Sequence, residues 1–249
     1  MSIFFSYFTY KIIVAVIVIL VAFFVRATIG FGSGLISVSV LTILFPIRFT
    51  VPVVFILDFA GSFILGAYDF KEVKWRDLNY LLPFTIVGLL FGGVLLKYAS
   101  PQKLTIFLGL FILLYVIYGF IVKQEKLPFV KNYVGAPLGF FGGFIGSLYG
   151  GGGPPIVAYL QMKHYNKRAF RATFQIVAIT DSISRTFIYL YLGLLTLAVF
   201  KMSLFLMPFL LLGLFFGNKL HFRINQKFFY IIVMIVLSLA AVGLIIHSL

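Results

Sequence analysis

Four ionisable side chains stand inside stretches that are otherwise apolar: Arg26, Asp58, Asp181 and Arg185. A charge at the centre of a helix in hydrocarbon costs roughly 2.5–3.5 kcal/mol on insertion scales, so each of the four calls for a functional explanation. Asp181 and Arg185 are spaced i, i+4, which places them on one helix face and within reach of each other. Thr173, Gln175, Ser182 and Thr186 give the same stretch an unusual polar load. Arg26 adjoins a glycine-rich turn, and Asp58 lies midway along 50–69. In such a setting an arginine compensates the charge of an anion, and an aspartate can carry a coupling proton. The plainer alternatives are a structural ion pair for Asp181 and Arg185, a protonated bundle residue at Asp58, and an Arg26 that snorkels to an interface.

Two glycine clusters accompany these charges: GFGSG at 30–34 and GGGGPP at 150–155. After the first, only about 12 apolar residues precede Pro46, and after the second about 11 precede Lys163, which at 1.5 Å per residue gives roughly 17–18 Å against a hydrocarbon core of about 30 Å. Neither run spans alone. Each reads as the returning limb of a helical hairpin or broken helix, with 8–25 or 133–149 as its partner limb. Unwound backbone at membrane depth is tolerated only where protein or a water-filled cavity satisfies it, so a cavity is expected. Both short limbs begin at their glycine turns and aim their N-termini, with unpaired amides and partial positive charge, at that cavity. Two such turns facing each other make an anion site. Its expected members are Arg26, Gly30, Gly32, Ser33, Gly34, Ser147, Gly150, Gly151, Gly152, Gly153, Ser182 and Arg185, with Asp58 and Asp181 as coupling groups. Bulky substitution at Gly32 or Gly152 is expected to block the anion before it harms folding. Close helix packing is the competing reason for glycine.

The elements that must hold these residues are membrane helices. The 249 residues are 62% hydrophobic, with apolar segments at roughly 8–25, 28–46, 50–69, 78–98, 103–122, 133–149, 154–164, 170–193, 197–217 and 228–247. This predicts an all-α polytopic membrane protein forming a single membrane domain over 1–249. Residues 11–25 lack the small-residue cleavage site of a signal peptide and read as a retained helix. The net charge of +14 is scattered over short loops, which fits positive-inside topology and anionic headgroups and not nucleic acid. There is no cysteine, hence no disulfide or thiolate metal site, and no cofactor motif, HExxH or GxSxG is present, so an enzyme is disfavoured.

The sequence also repeats. At an offset of 120 residues Gly30, Gly32, Ile36, Arg48 and Ser62 fall on Gly150, Gly152, Ile156, Arg168 and Ser182, and at a slightly larger one Gly93, Gln102 and Lys103 fall on Gly217, Gln226 and Lys227. Repeat one covers about 1–122 and repeat two about 131–249, each with a glycine-tipped hairpin or broken helix and three transmembrane helices. Placed on alternating loops, thirteen of the 20 cations, Lys163 among them, fall on one side and five on the other, leaving Arg26 and Arg185 inside. That asymmetry predicts inverted halves with both termini extracytoplasmic and 70–77, 123–131, 163–171 and 218–227 cytoplasmic.

GGGGPP followed by a short helix and KRAFRAT at 167–173, with an earlier glycine turn in the first half, resembles the TauE/SafE family of sulfite exporters. The resemblance covers essentially the whole chain, although Phe31 and Ser33 replace glycines often found in the first turn. It implies a plasma-membrane transporter of a small inorganic or organosulfur anion, sulfite or an organosulfonate. The expected function is therefore secondary transport of an oxyanion, with proton coupling through Asp58 or Asp181. An anion channel using the same site is the nearest alternative, and a membrane-embedded enzyme or scaffold a more distant one. Direction, coupling ion and oligomeric state, a homodimer included, are left open.

Overall fold

The structure, a computed structural model, describes residues 2–29, 32–65, 70–121, 127–220 and 226–248. Gly30 lies outside these residues. The chain is an all-α polytopic membrane protein, as expected of backbone that must satisfy its own polar groups in lipid. The helices are α1 (Ser2–Ile29), α2 (Ser33–Leu44), α3 (Ile47–Leu65), α4 (Trp75–Tyr98), α5 (Pro101–Ile121), α6 (Gly135–Tyr149), α7 (Gly153–Met162), α8 (Lys167–Tyr191), α9 (Leu197–Leu220) and α10 (Gln226–Ser248). Within the described residues, α1, α3, α4, α5 and α9 are long and apolar enough to cross a membrane. At 25 residues α8 has the length as well, but it carries the polar side chains of the site. The short limbs α2 and α7 have 12 and 10 residues. Their partners differ: α6 has 15 residues and α1 has 28, about 22 and 42 Å long. The two hairpins are thus unequal, and α1 has the length to span on its own.

Most of the larger helix pairings map onto themselves when residues before and after about 125 are exchanged, the packing of α2 on α10 being an exception without a matching α7–α5 contact. α1 packs on α9 as α6 packs on α4, α3 on α9 as α8 on α4, α1 on α2 as α6 on α7, while α3 pairs with α8 and α5 with α10. Glycines make the closest of these approaches. Side chains added at Gly88 and Gly92 of α4 would strike the carbonyls of Phe140 and Phe144, and at Gly213 and Gly217 of α9 those of Leu20 and Phe24. Leu20 and Phe140, like Phe24 and Phe144, stand 120 residues apart. By these contacts the counterpart of Gly217 is Gly92, one residue from the Gly93 that sequence matching pairs with it. The larger apolar core is built mainly on α1, α2, α3, α5, α9 and α10, and a smaller one joins the first turns of α4 and α8 to α7.

Two ends of the bundle are tied by cations, one half-buried and one buried. At one end Arg48, opening α3, donates to the carbonyls of Leu96 (3.1 Å) and Ala99 (2.7 Å), covering the unpaired C-terminus of α4. At the other end Lys163, at the close of α7, lies 3.2 Å from Asp77 and donates to Asn132 Oδ1 (2.8 Å) and the Val130 carbonyl (3.2 Å). Lys163, counted among the loop cations of one side, is buried: three acceptors and the Phe129 ring at 5.0 Å replace its water. His164, exposed, has Nε2 3.0 Å from the Leu127 carbonyl in the same knot.

Candidate functional site

The two glycine turns meet. Gly32 adopts φ +100° ahead of α2, and Gly150 closes α6 at φ +66° with its amide on the Gly146 carbonyl at 2.8 Å, a left-handed helix ending open to glycine. A side chain at Gly34 would collide with the Gly150 carbonyl, so the turns touch through bare backbone. Pro154 and Pro155 occupy the first turn of α7, where a missing N–H breaks no helical bond, but they also withhold two amides from any ligand.

Around this contact the four charges form two ion pairs, Arg185 buried and the other three half-buried. Arg26, in the last turn of α1, places Nη1 2.7 Å from Asp58 Oδ1 and 3.1 Å from the Asp58 carbonyl on α3. Its Nη2 donates to Ser62 Oγ at 2.7 Å, and Ser33 Oγ donates to Asp58 Oδ1 at 2.5 Å. Arg185 places Nη2 2.6 Å from Asp181 Oδ2 one turn earlier on α8, with its guanidinium 5.3 Å above the Phe55 ring. The two arginines are not equivalent. Arg26 shares its Nη atoms among four acceptors, whereas the buried Nε of Arg185 has no hydrogen-bond partner. An unpaired buried donor is costly, on the order of 1–3 kcal/mol, and is a group that an acceptor ligand would satisfy.

Both pairs line one cavity of about 110 Å³. Its polar wall is Arg26, Ser33, Ser62 and Asp58 from the first half and Asp181, Ser182 and Arg185 from the second; Gly32, Gly34, Gly150, Gly152 and Gly153 complete the turns, and the N-termini of α2 and α7 open onto it. The apolar wall includes Phe55, Ile156, Phe174 and Val177. α3 and α8 run antiparallel beside it, with Phe55 next to Arg185 and Ser62 next to Gln175.

Among the described residues the expected site residues are therefore mostly brought together, with two exceptions. Ser147 is fully buried away from the cavity: its Oγ faces Gly93 of α4, and its carbonyl accepts from Tyr189 at 2.5 Å. The face of α6 that carries Ser147 is set by packing on α4, which sequence spacing does not reveal. Gly151 packs on the Leu35 side chain and does not line the cavity. Gly152 does line it, but a side chain there would also strike the Gly142 carbonyl of α6, so packing and access are both served by that glycine. Sequence reasoning missed Phe55 and Phe174, which look like ordinary lipid-facing aromatics, and gave Ser62 no role beyond the repeat, although its i, i+4 spacing from Asp58 was a usable signal.

The sequence profile of the Sulfite exporter TauE/SafE family matches residues 15–244. The chain belongs to this family. Among curated proteins, the Probable inner membrane transporter protein TsaS of Comamonas testosteroni is 26% identical over 172 residues, covering 67% of this chain and 70% of that protein. No solved structure matches the chain. As a TauE/SafE member the protein is a multi-pass membrane transporter of the sulfite or sulfonate type, and not an enzyme.

Proposed function

We propose that the cavity between the two glycine turns is the substrate site, and that it binds a small oxyanion, sulfite or an organosulfonate, for export by an alternating movement of two inverted halves. The observation that carries this reading is the convergence on one cavity of two helix N-termini and two Arg–Asp pairs, one of whose arginines keeps an unpaired buried donor. The formal charges cancel there, two arginines against two aspartates. A bound anion thus brings an uncompensated charge into the cavity unless a proton enters with it, because an aspartate that yields its arginine only takes over the excess charge. Arg185 is the arginine that takes the anion, since its buried Nε has no partner whereas Arg26 already shares its Nη atoms among four acceptors. Asp181, which would have to release Arg185, is the coupling carboxylate, and protonating it makes the release inexpensive. Ser182 and the amides of the first turn of α2 supply further donors to the anion's oxygens, the single Ser33 hydroxyl proton being held by Asp58.

The inverted arrangement is supported by the exchange symmetry of the helix pairings and by the antiparallel course of the counterparts α3 and α8. Together with the cation asymmetry it gives extracytoplasmic termini in the membrane of the cell. The test is a thermal-shift and binding panel on purified protein with sulfite, sulfate, thiosulfate, sulfoacetate, acetate and phosphate. Stabilisation by the sulfur oxyanions that is lost in Arg185→Gln supports the reading. Equal response of wild type and variant to all six anions overturns it.

A further inference from the structure

We infer that Gln175 is the gate residue at one end of this cavity, and that Ser62 links the state of the gate to the state of the site. Gln175 Nε2 donates to the Ser62 carbonyl at 3.0 Å, joining α8 directly to α3 across the boundary between the two halves. The bond lies at one end of the cavity: Ser62 on α3 and Phe174 on α8 are the last residues of their helices to line it, and Gln175, partly buried, is the chain neighbour of Phe174. Ser62 lies in the last turn of α3, on the side of that helix that meets Gln175. Its carbonyl accepts from Gln175 when the helices are together, and from water when they part. The exchange is nearly balanced, because a neutral hydrogen bond is worth about 0.5–1.5 kcal/mol net. A bond of this size suits a contact that must break once per transport cycle.

The remaining ties in this region are of another kind. The knot of Lys163, Asp77 and Asn132 is buried and charged, and would leave unpaired ions if it opened. Thr173 Oγ1 accepts from the Lys74 amide at 3.1 Å, fixing the start of α8 to the chain before α4. These hold α4, α7 and the first turns of α8 as one block, so separation falls on the neutral contact with α3. Ser62 stands on both sides of that event. Its Oγ accepts from Arg26 and donates to the Asp58 carbonyl at 2.8 Å, while its own carbonyl takes Gln175. A shift of Ser62 that loosens the Arg26 network also moves the acceptor on which the gate closes.

The inference rests on the cavity being the transport site, yet its test needs no substrate. The chain has no cysteine, so Ala178→Cys, on the cavity wall, is a clean probe for a membrane-impermeant thiol reagent applied to either face of sealed vesicles. Gln175→Leu removes the donor at similar length, and Gln175→Glu sets an acceptor against an acceptor. Both should raise labelling of the introduced thiol about fivefold from the face nearer Gln175 and leave the opposite face unchanged, the shift expected from losing one ordinary hydrogen bond. Zero-trans sulfite flux should change in the same variants while sulfite affinity by thermal shift holds, a split that a simple helix cap does not produce. Unchanged labelling in folded Leu and Glu variants overturns the gate. If neither is recovered folded, Gln175→Asn, which keeps the amide but shortens its reach, is read by the same assay, and unchanged labelling there overturns it. Raised labelling with no sulfite binding in wild type upholds the gate and rejects the substrate.

Discussion

Arg26 reaches across to Asp58 on another helix, 2.7 Å away, whereas Arg185 takes its carboxylate from its own helix at 2.6 Å. The difference follows a transposition between the halves. At the 120-residue offset Arg26 falls on Gly146 and Gly61 falls on Asp181. Each glycine makes room for the arginine of its own half: a side chain at Gly61 would stand 3.4 Å from Arg26 Nη1, and at Gly146 2.9 Å from Arg185 Nη2. Each half thus sends one arginine into the cavity, from the hairpin limb α1 in the first and from α8 in the second. The site is two-fold in charge and asymmetric in wiring.

That wiring predicts unequal costs of mutation. Asp58→Asn leaves Arg26 buried with hydrogen-bond partners but no counter-charge, and should destabilise the folded protein by about 3–5 kcal/mol. The double variant Arg26→Gln with Asp58→Asn restores neutrality and should recover more than half of that loss. Thermal melts of the two single variants and the double in detergent measure the coupling, and strict additivity would show that the pair contributes nothing jointly.

The glycine turns separate packing from access. Gly152→Ala should lower the melting temperature and yield, because the added carbon meets the Gly142 carbonyl. Gly32 has open space around a side chain, so Gly32→Ala costs only its left-handed backbone, roughly 1–2 kcal/mol. It should fold and yet bind sulfite more weakly, since it crowds the start of α2. Thermal shift with and without sulfite tests both, and an unaltered sulfite response in folded Gly32→Ala would leave that turn with no part in binding. The expectation that a bulky substitution at either glycine spares folding thus meets a backbone carbonyl at Gly152 and a left-handed backbone at Gly32.

Much of this was legible in the residues. Apolar runs located the helices because in lipid the choice of helix follows from length and hydropathy, and the i, i+4 spacing of Asp181 and Arg185 is a local relation that a helix converts directly into a contact. Arg26 with Asp58 and Lys163 with Asp77 were not legible as pairs, because each joins helices whose relative placement depends on the glycine contacts of α4 with α6 and α1 with α9. Ser147 misled for the same reason: a hydroxyl one turn from a glycine cluster looks available, and only the packing of α6 shows which way it faces.

Topology is open to the same cysteine-free labelling. Lys131→Cys and Ser100→Cys sit in exposed loops at opposite ends of the bundle. Impermeant reagent added to intact cells should modify the Ser100→Cys variant and spare Lys131→Cys until the membrane is opened. Modification of Lys131→Cys alone in intact cells would reverse the orientation, and modification of both would reject it.

The pH dependence of binding should be set by Asp181, since protonating this carboxylate frees Arg185 for the anion without leaving a buried charge unpaired. Sulfite titrates near neutrality, so the measurement needs methanesulfonate, whose charge is constant over the range. Wild-type affinity for methanesulfonate should fall as pH rises, because the anion then competes with an ionised Asp181 for the same guanidinium. Asp181→Asn removes the competitor: affinity should rise at high pH by about tenfold, the scale of one charge-assisted hydrogen bond, and the pH slope should flatten. Arg185→Gln should act in the opposite direction and weaken binding at every pH, while Asp58→Asn should leave the slope in place, because Asp58 is matched by Arg26 and Ser33. Isothermal titration in two buffers of different ionisation enthalpy reports the proton directly, with uptake near one per anion in wild type and none in Asp181→Asn. If both variants at 181 and 185 lower yield alone and the folded fraction binds as wild type does, the pair is structural and the anion is held elsewhere.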